Sequence, residues 1–212
     1  MEKKKKLARK RFAIKNDKGE YIGKIPNVSL VTTPAIEKNY ALFNEAAPKR
    51  MNFQVSNEER MEITGIAMSP DQDILRFDRD NKEYYYCFFT KSDIRDYRDY
   101  FMQFGNTKEA NFEHGSEYMD DFFVSESWII TDPNNDKMNA LGFKDIKEGD
   151  WCLTYRCTNR EIWEQVKSSS LAGFSVEIEL DYFKEEKIKA ILYNTEMTDQ
   201  EKEEAIKDIV FK

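Results

Sequence analysis

The sequence is short of cysteine and histidine and has no long apolar run. Its three cysteines, Cys87, Cys152 and Cys157, are odd in number and form no CxxC pair, which argues against a disulfide framework and a zinc site. No apolar run approaches bilayer length, and the basic N-terminus lacks the apolar core of a signal peptide. We therefore expect a cytosolic protein without membrane contact, metal or cofactor. We also expect its cysteines to be buried as small apolar side chains.

The motifs of several common enzyme classes are absent as well. The chain contains no Gly-rich phosphate loop, no GxSxG elbow and no HExxH pair. These absences argue against nucleotide binding, α/β-hydrolase chemistry and zinc proteolysis. The net charge is -7, so the basic arm at residues 1 to about 20 belongs to an acidic protein, which argues against nucleic acid as a partner.

What is present fits one globular domain with charged ends. The 212 residues are 40% hydrophobic and 14% aromatic, enough for a substantial core. Alternating and aromatic-rich segments predict strands over 61–70, 83–90, 122–131, 149–158 and 174–182. The pattern predicts an α+β fold that is mostly β. Its predicted parts are a basic arm (residues 1–24), a globular domain (25–183) and a charged helical tail (184–212).

Helix-capping signals mark three helices. Ser92 is predicted to cap a helix that ends at Gly105, and Thr158 or Asn159 to cap a short helix beginning at residue 160. Thr198 and Glu201 form the capping-box pattern of a last helix in the tail.

The stretch around Ser175, SLAGFSVEIEL, allows two interpretations. The alternation puts Ser175, Glu177 and Glu179 on one face of a strand and the apolar residues on the other. Ser175 is then either a small polar residue on an ordinary two-faced strand or a nucleophile presented to a substrate. A serine hydroxyl needs a base to become a nucleophile.

His114 is the only histidine, in the polar stretch NFEHGSEY. It is the sole imidazole available as a base for Ser175, and catalytic groups commonly lie on loops of this kind. A carboxylate would then orient the imidazole. Glu126 is the favoured candidate, because it shares a strand face with Trp128 and an acid in such surroundings needs a partner. Glu177 is the rival.

In this order, the strings NFEHGSEY, VSESWIITDPNNDKMNALGF, GDWCLTY and IWEQVKSSSLAGFSVE resemble the phage prohead proteases, the serine proteases of capsid maturation. The resemblance extends to the serine protease domains of phage and prophage elements. It covers roughly residues 25 to 182 and includes an SLV…PAIE segment from Ser29 to Glu37. Ile178 departs from the pattern, since relatives usually have glycine there.

The resemblance implies a fold related to herpesvirus assemblins, with an antiparallel β-barrel core surrounded by helices. It implies Ser175 as nucleophile, His114 as base and Glu126 or Glu177 as the third member, with Glu126 ahead. The implied activity is cleavage of phage scaffold and major capsid protein, and of the protease itself, inside the assembling prohead in the host cytoplasm. Self-association is left open. The alternative is a catalytically inactive capsid or scaffold component with the same fold.

Overall fold

The computed structural model describes residues 7–31, 53–78, 81–169, 171, 173–180, 188 and 191–210. The predicted turn at Pro34, the PAIE segment and most of the polar stretch before Glu59 lie outside these residues, as do residues 1–6 and 181–187. In the part that is described, strands predominate over helices. The predicted α+β, mostly β class is confirmed.

A four-stranded antiparallel sheet forms the centre of the fold. Its strands are β4 (Phe53–Asn57), β5 (Glu62–Met68), β10 (Phe122–Ile129) and β11 (Trp151–Cys157), in the order β10-β11-β5-β4. β11 is almost completely buried, with Trp151, Leu153 and Tyr155 in the main apolar core and Cys152 in a second, smaller one. Its Tyr155 hydroxyl donates to the carbonyl of Val28 at 3.0 Å, which ties the sheet to the strand that carries the candidate site.

A second sheet brings part of the predicted basic arm into the fold. β1 (Ala8–Arg11) pairs in parallel with β7 (Glu83–Phe88), and β7 pairs with β6 (Ile74–Asp78). The Arg11 guanidinium donates two hydrogen bonds to Asp93, at 2.9 and 2.6 Å, and Ile14 is fully buried. Apolar burial of Ile14 and the charge-assisted pair of Arg11 with Asp93 hold this part of the segment against the fold.

Short antiparallel ladders complete the β structure and support the candidate site. β12 (Gly173–Val176) pairs with β3 (Val28–Val31), β13 (Glu179–Leu180) with β2 (Gly23–Lys24), and β8 (Ala110–Asn111) with β9 (Tyr118–Met119). The single predicted strand over 174–182 is thus two short ones, with residues 181 and 182 outside the description. The segment that pairs with β12 and β13 is interrupted too, because Pro26 lies between β2 and β3 and has no N–H to donate to a ladder.

Four helices lie among the described residues: α1 (Lys91–Phe104), α2 (Lys137–Ala140), α3 (Arg160–Ser168) and α4 (Asp199–Val210). Asn159, one of the two residues predicted for this position, caps α3, and Thr198 forms the predicted reciprocal capping box with Glu201. Thr90 rather than Ser92 caps α1, because Thr90 and Asp93 bond each other's backbone N–H groups in a capping box. No helix in the described ranges is long and apolar enough to cross a membrane.

One main apolar core joins the four-stranded and the three-stranded sheet to α1 and α3. Its largest fully buried side chains include Trp151, Trp163, Tyr97 and Tyr155. All three cysteines are buried and free, as predicted. The described strands form five sheets and show no closed barrel. The closed barrel that the resemblance implies therefore stays a prediction.

Candidate active site

The pairing of β12 with β3 sets Ser175 directly opposite Ser29. Opposed residues of an antiparallel pair point to the same face, and residues two apart on one strand share that face. Ser29, Ser175 and Glu177 therefore converge on one side. Phe174 points to the other side, where its ring packs against Tyr155 with ring centroids 5.6 Å apart. The predicted alternation of Ser175 and Phe174 is confirmed, although Ser175 is only 8% exposed.

His114 reaches this face from the turn between β8 and β9. The turn is fastened to β3, because the Glu113 N–H donates to the Leu30 carbonyl at 3.0 Å. Glu113 and His114 both have positive φ, 51° and 58°, a left-handed conformation that is uncommon outside glycine. Held in that conformation beside Leu30, the imidazole lies next to the two serines. The prediction that His114 lies in a loop is confirmed.

A continuous series of hydrogen bonds joins the side chains. The Ser175 hydroxyl lies 3.0 Å from His114 Nε2, and the Ser29 hydroxyl lies 3.1 Å from His114 Nδ1. Ser29 in turn donates to Glu177 Oε1 at 2.5 Å, and that oxygen is 3.4 Å from His114 Nδ1. The imidazole thus has the hydroxyl of Ser175 on one nitrogen and the carboxylate of Glu177 behind the other.

Glu177 is held as an ionised carboxylate. Burial by itself raises the pKa of Glu177, but hydrogen bonds from Ser29 and Asn111, together with the nearby His114 imidazole, outweigh burial and set the pKa below its ordinary value. The backbone N–H of Glu177 donates to the Asn27 carbonyl at 3.0 Å, which fixes the residue just beyond the end of β12. An ionised Glu177 only accepts hydrogen bonds.

Asn111 is a buried support that the sequence did not single out. Its Nδ2 donates to Glu177 Oε1 at 2.8 Å and to the Gly115 carbonyl at 3.0 Å. Asn111 therefore links the carboxylate to the turn that carries His114. A lone asparagine has no sequence signal for this role, because the contact depends on which strands become neighbours.

Glu126, the favoured third member in the sequence analysis, lies elsewhere. Its carboxylate accepts hydrogen bonds from Lys137 and, at 3.0 Å, from the Thr154 hydroxyl. The Lys137 ammonium also lies 3.7 Å from the centre of the Trp128 ring. The acid next to Trp128 does have a partner, and that partner is Lys137. The structure brings Ser175, His114 and Glu177 together and does not bring Glu126 to them.

The arrangement is suited to nucleophilic attack by a serine. His114 Nε2 is within reach of the Ser175 proton, and a carboxylate behind Nδ1 stabilises the imidazolium that forms. The described residues contain no group of three or more histidine, cysteine or acidic side chains that could hold a metal ion.

Serine, histidine and carboxylate in this order are the side chains of a serine protease site, on an α+β fold that is mostly β. The comparison with protein families assigns the same class. The chain belongs to the family described as "Putative phage serine protease XkdF", whose model matches residues 50–183. That match contains His114, Ser175 and Glu177.

The chain is also similar to the curated protein "Phage-like element PBSX protein XkdF" of Bacillus subtilis (strain 168). The two are 26% identical over 156 residues, which cover 74% of this chain and 47% of the relative. The chain thus spans about half the length of this relative. No solved structure matches the chain significantly.

Proposed function

We propose that this protein is a serine endopeptidase that processes phage scaffold and major capsid proteins, and itself, inside the assembling prohead in the host cytoplasm. Ser175 is the nucleophile, His114 the general base and Glu177 the residue that stabilises the charged imidazole. The observation that carries the proposal is the 3.0 Å contact between Ser175 Oγ and His114 Nε2, backed by the carboxylate of Glu177. The family membership supports the same reaction class.

In the first half-reaction, Ser175 Oγ bonds to the carbonyl carbon of the scissile peptide while its proton moves to His114 Nε2. The C–N bond then breaks, and His114 returns the proton to the leaving amine. In the second half-reaction, water bonds to the acyl carbon and gives a proton to His114. The bond to Ser175 breaks and Ser175 recovers its proton. One water is consumed for each peptide bond cleaved.

The exposure of the groups suits a peptide substrate. The His114 side chain is 46% exposed, whereas Glu177 behind it is 21% exposed. A substrate that covers the imidazole would remove the remaining water from the site. The attraction between the His114 imidazolium and Glu177 would then be stronger during the reaction.

The test is co-expression with the scaffold and major capsid protein of the same phage, followed by mass mapping of all three chains. We expect processing with the natural sequence and none with Ser175→Ala or His114→Ala. Ser127→Ala serves as a matched serine control, because the Ser127 hydroxyl accepts a hydrogen bond from the Trp151 indole N–H and none from His114 is seen among the described residues. Unchanged processing in Ser175→Ala would contradict the proposal, and a lack of processing with the natural sequence as well would favour an inactive capsid component.

A further inference from the structure

Ser29 is a polar residue in an otherwise apolar, fully buried strand. β3 reads Val28, Ser29, Leu30, Val31, and Ser29 is completely buried. A buried hydroxyl requires a hydrogen-bond partner. Ser29 finds its partners on the candidate site, with His114 Nδ1 at 3.1 Å and Glu177 Oε1 at 2.5 Å.

We infer that Ser29 is a positioning residue between Glu177 and His114. It accepts a hydrogen bond from Nδ1 and so keeps the proton of the neutral imidazole on that nitrogen, and its own hydrogen bond to Glu177 links the ring to the carboxylate. This inference rests on the proposed function, because it assigns Ser29 a part in the same reaction.

The available hydrogens decide which nitrogen of the neutral imidazole is protonated. Ser29 has a single hydroxyl hydrogen, and Glu177 can only accept because its carboxylate is ionised. The 2.5 Å contact between the Ser29 hydroxyl and Glu177 Oε1 therefore uses that hydrogen. Ser29 can then only accept from His114, so Nδ1 carries the proton of the neutral ring. Nε2 is left with a free electron pair, which faces the Ser175 hydroxyl at 3.0 Å.

The distances favour Ser29 over a direct carboxylate contact. Glu177 Oε1 is 3.4 Å from Nδ1, whereas the Ser29 hydroxyl is 3.1 Å from it. Oε1 also already accepts from Ser29 and from Asn111. The β3–β12 register places Ser29 on the same face as Ser175, so one rigid strand pair sets both contacts of the ring.

No proton leaves Ser29 during the reaction. Its hydrogen stays on the Glu177 side when the imidazole gains a proton from Ser175 and when it gives that proton away. Ser29 therefore acts through His114 and does not touch the substrate. Its removal should slow the reaction of Ser175 without changing how the substrate binds.

The first experiment uses the natural protein and needs no substrate. Because His114 is the only histidine, ¹⁵N NMR of protein labelled at histidine reports this ring alone. We expect the neutral ring to carry its proton on Nδ1. A neutral ring protonated on Nε2 would overturn the inference, whatever the folding of any variant.

The second experiment measures the rate at which a fluorophosphonate probe labels Ser175, over a range of pH. We expect Ser29→Ala to slow labelling roughly 10- to 150-fold, the range for a lost hydrogen bond to a charged group, and to leave the neutral ring as a mixture of tautomers. Ser29→Thr, which keeps the hydroxyl, should recover most of the rate. Ser127→Ala should label like the natural protein.

The outcomes separate this inference from the proposed function. If the natural protein is labelled, Ser175→Ala is not, and Ser29→Ala keeps both the natural rate and the Nδ1 proton, then the inference is overturned and the protease proposal stands. If the natural protein is labelled no faster than Ser175→Ala, the proposed function fails. The tautomer measurement then still decides whether Ser29 orders the ring.

Discussion

Replacing Glu177 by glutamine removes the negative charge behind His114 while keeping the size of the side chain. In the natural protein, Ser29 and Asn111 donate to Glu177 Oε1 at 2.5 and 2.8 Å. The glutamine carbonyl of the variant can still accept both hydrogen bonds. Packing around β12 should therefore be preserved. We expect Glu177→Gln to fold normally and to slow the reaction of Ser175, because the imidazolium formed in that reaction loses its counter-charge.

The structure sets the size of this effect. Unit charges 3.4 Å apart, the distance between Glu177 Oε1 and His114 Nδ1, attract by about 5 kcal/mol at an effective dielectric constant of 20 and by about 1 kcal/mol in water. The half-exposed imidazole lies between these limits. The expected loss of rate is therefore roughly 10-fold to several-thousand-fold.

A second effect acts in the same direction. The glutamine amide can rotate and donate to Ser29, which would then donate to His114 Nδ1. The ring would carry its proton on Nε2, and Nε2 could no longer accept the proton of Ser175. The same NMR measurement on the single histidine would detect this change of tautomer.

The assay is the rate of fluorophosphonate labelling at Ser175 with purified protein, with Ser175→Ala as background. Glu126→Gln is the matched control, because it makes the same chemical change on a carboxylate that bonds Lys137 and Thr154. We expect its rate to stay within about twofold of the natural protein. Labelling of Glu177→Gln at the natural rate would refute a role for Glu177 in stabilising the imidazolium. If only Glu126→Gln is slow, that role belongs to Glu126.

Two further predictions concern stability. Arg11→Ala should lower the free energy of unfolding by about 1.5–3 kcal/mol, the value for hydrogen bonds to a charged group, because Asp93 is 2% exposed and loses two of its donors. Denaturant unfolding measures this loss, and the exposed Lys18→Ala, which should be near neutral, controls for charge. The stability that Glu177 contributes should be present at neutral pH and be lost as the pH falls through its folded-state pKa, because that pKa lies below the ordinary value. Thermal unfolding of the natural protein and Glu177→Gln across acidic pH measures it, and a constant difference between them would contradict it.

Local signals were predictable from the sequence and long-range pairings were not. The sequence predicts the cap at Thr198 and narrows the cap of α3 to Thr158 or Asn159, since a capping side chain bonds backbone groups two or three residues away. At α1 the sequence offered two hydroxyls, and Thr90 was missed although Asp93 stands three residues after it in the capping-box spacing. The strand over 174–182 was predicted as one, because nothing local shows that its partner strand is interrupted.

The third member of the site shows the same division. Glu126 was favoured because an acid beside Trp128 needs a partner, and the need was real. The partner, however, is Lys137, eleven positions along the chain, and α2 brings it back over the Trp128 ring. The strand pattern around Glu126 indicates a need for charge compensation, but it does not indicate which cation meets that need.

The sequence by itself determined the class of side chains available for chemistry. One histidine, a serine in an alternating strand and a few nearby acids left a short set of choices, because the residue types limit the reactions. Only the tertiary structure decided among them. Ser29 and Ser175 lie 146 positions apart and His114 lies between them, and the β3–β12 register with the Glu113–Leu30 hydrogen bond brings all three to Glu177. Register depends on which strands pair across the whole fold, and no short stretch of sequence carries that information.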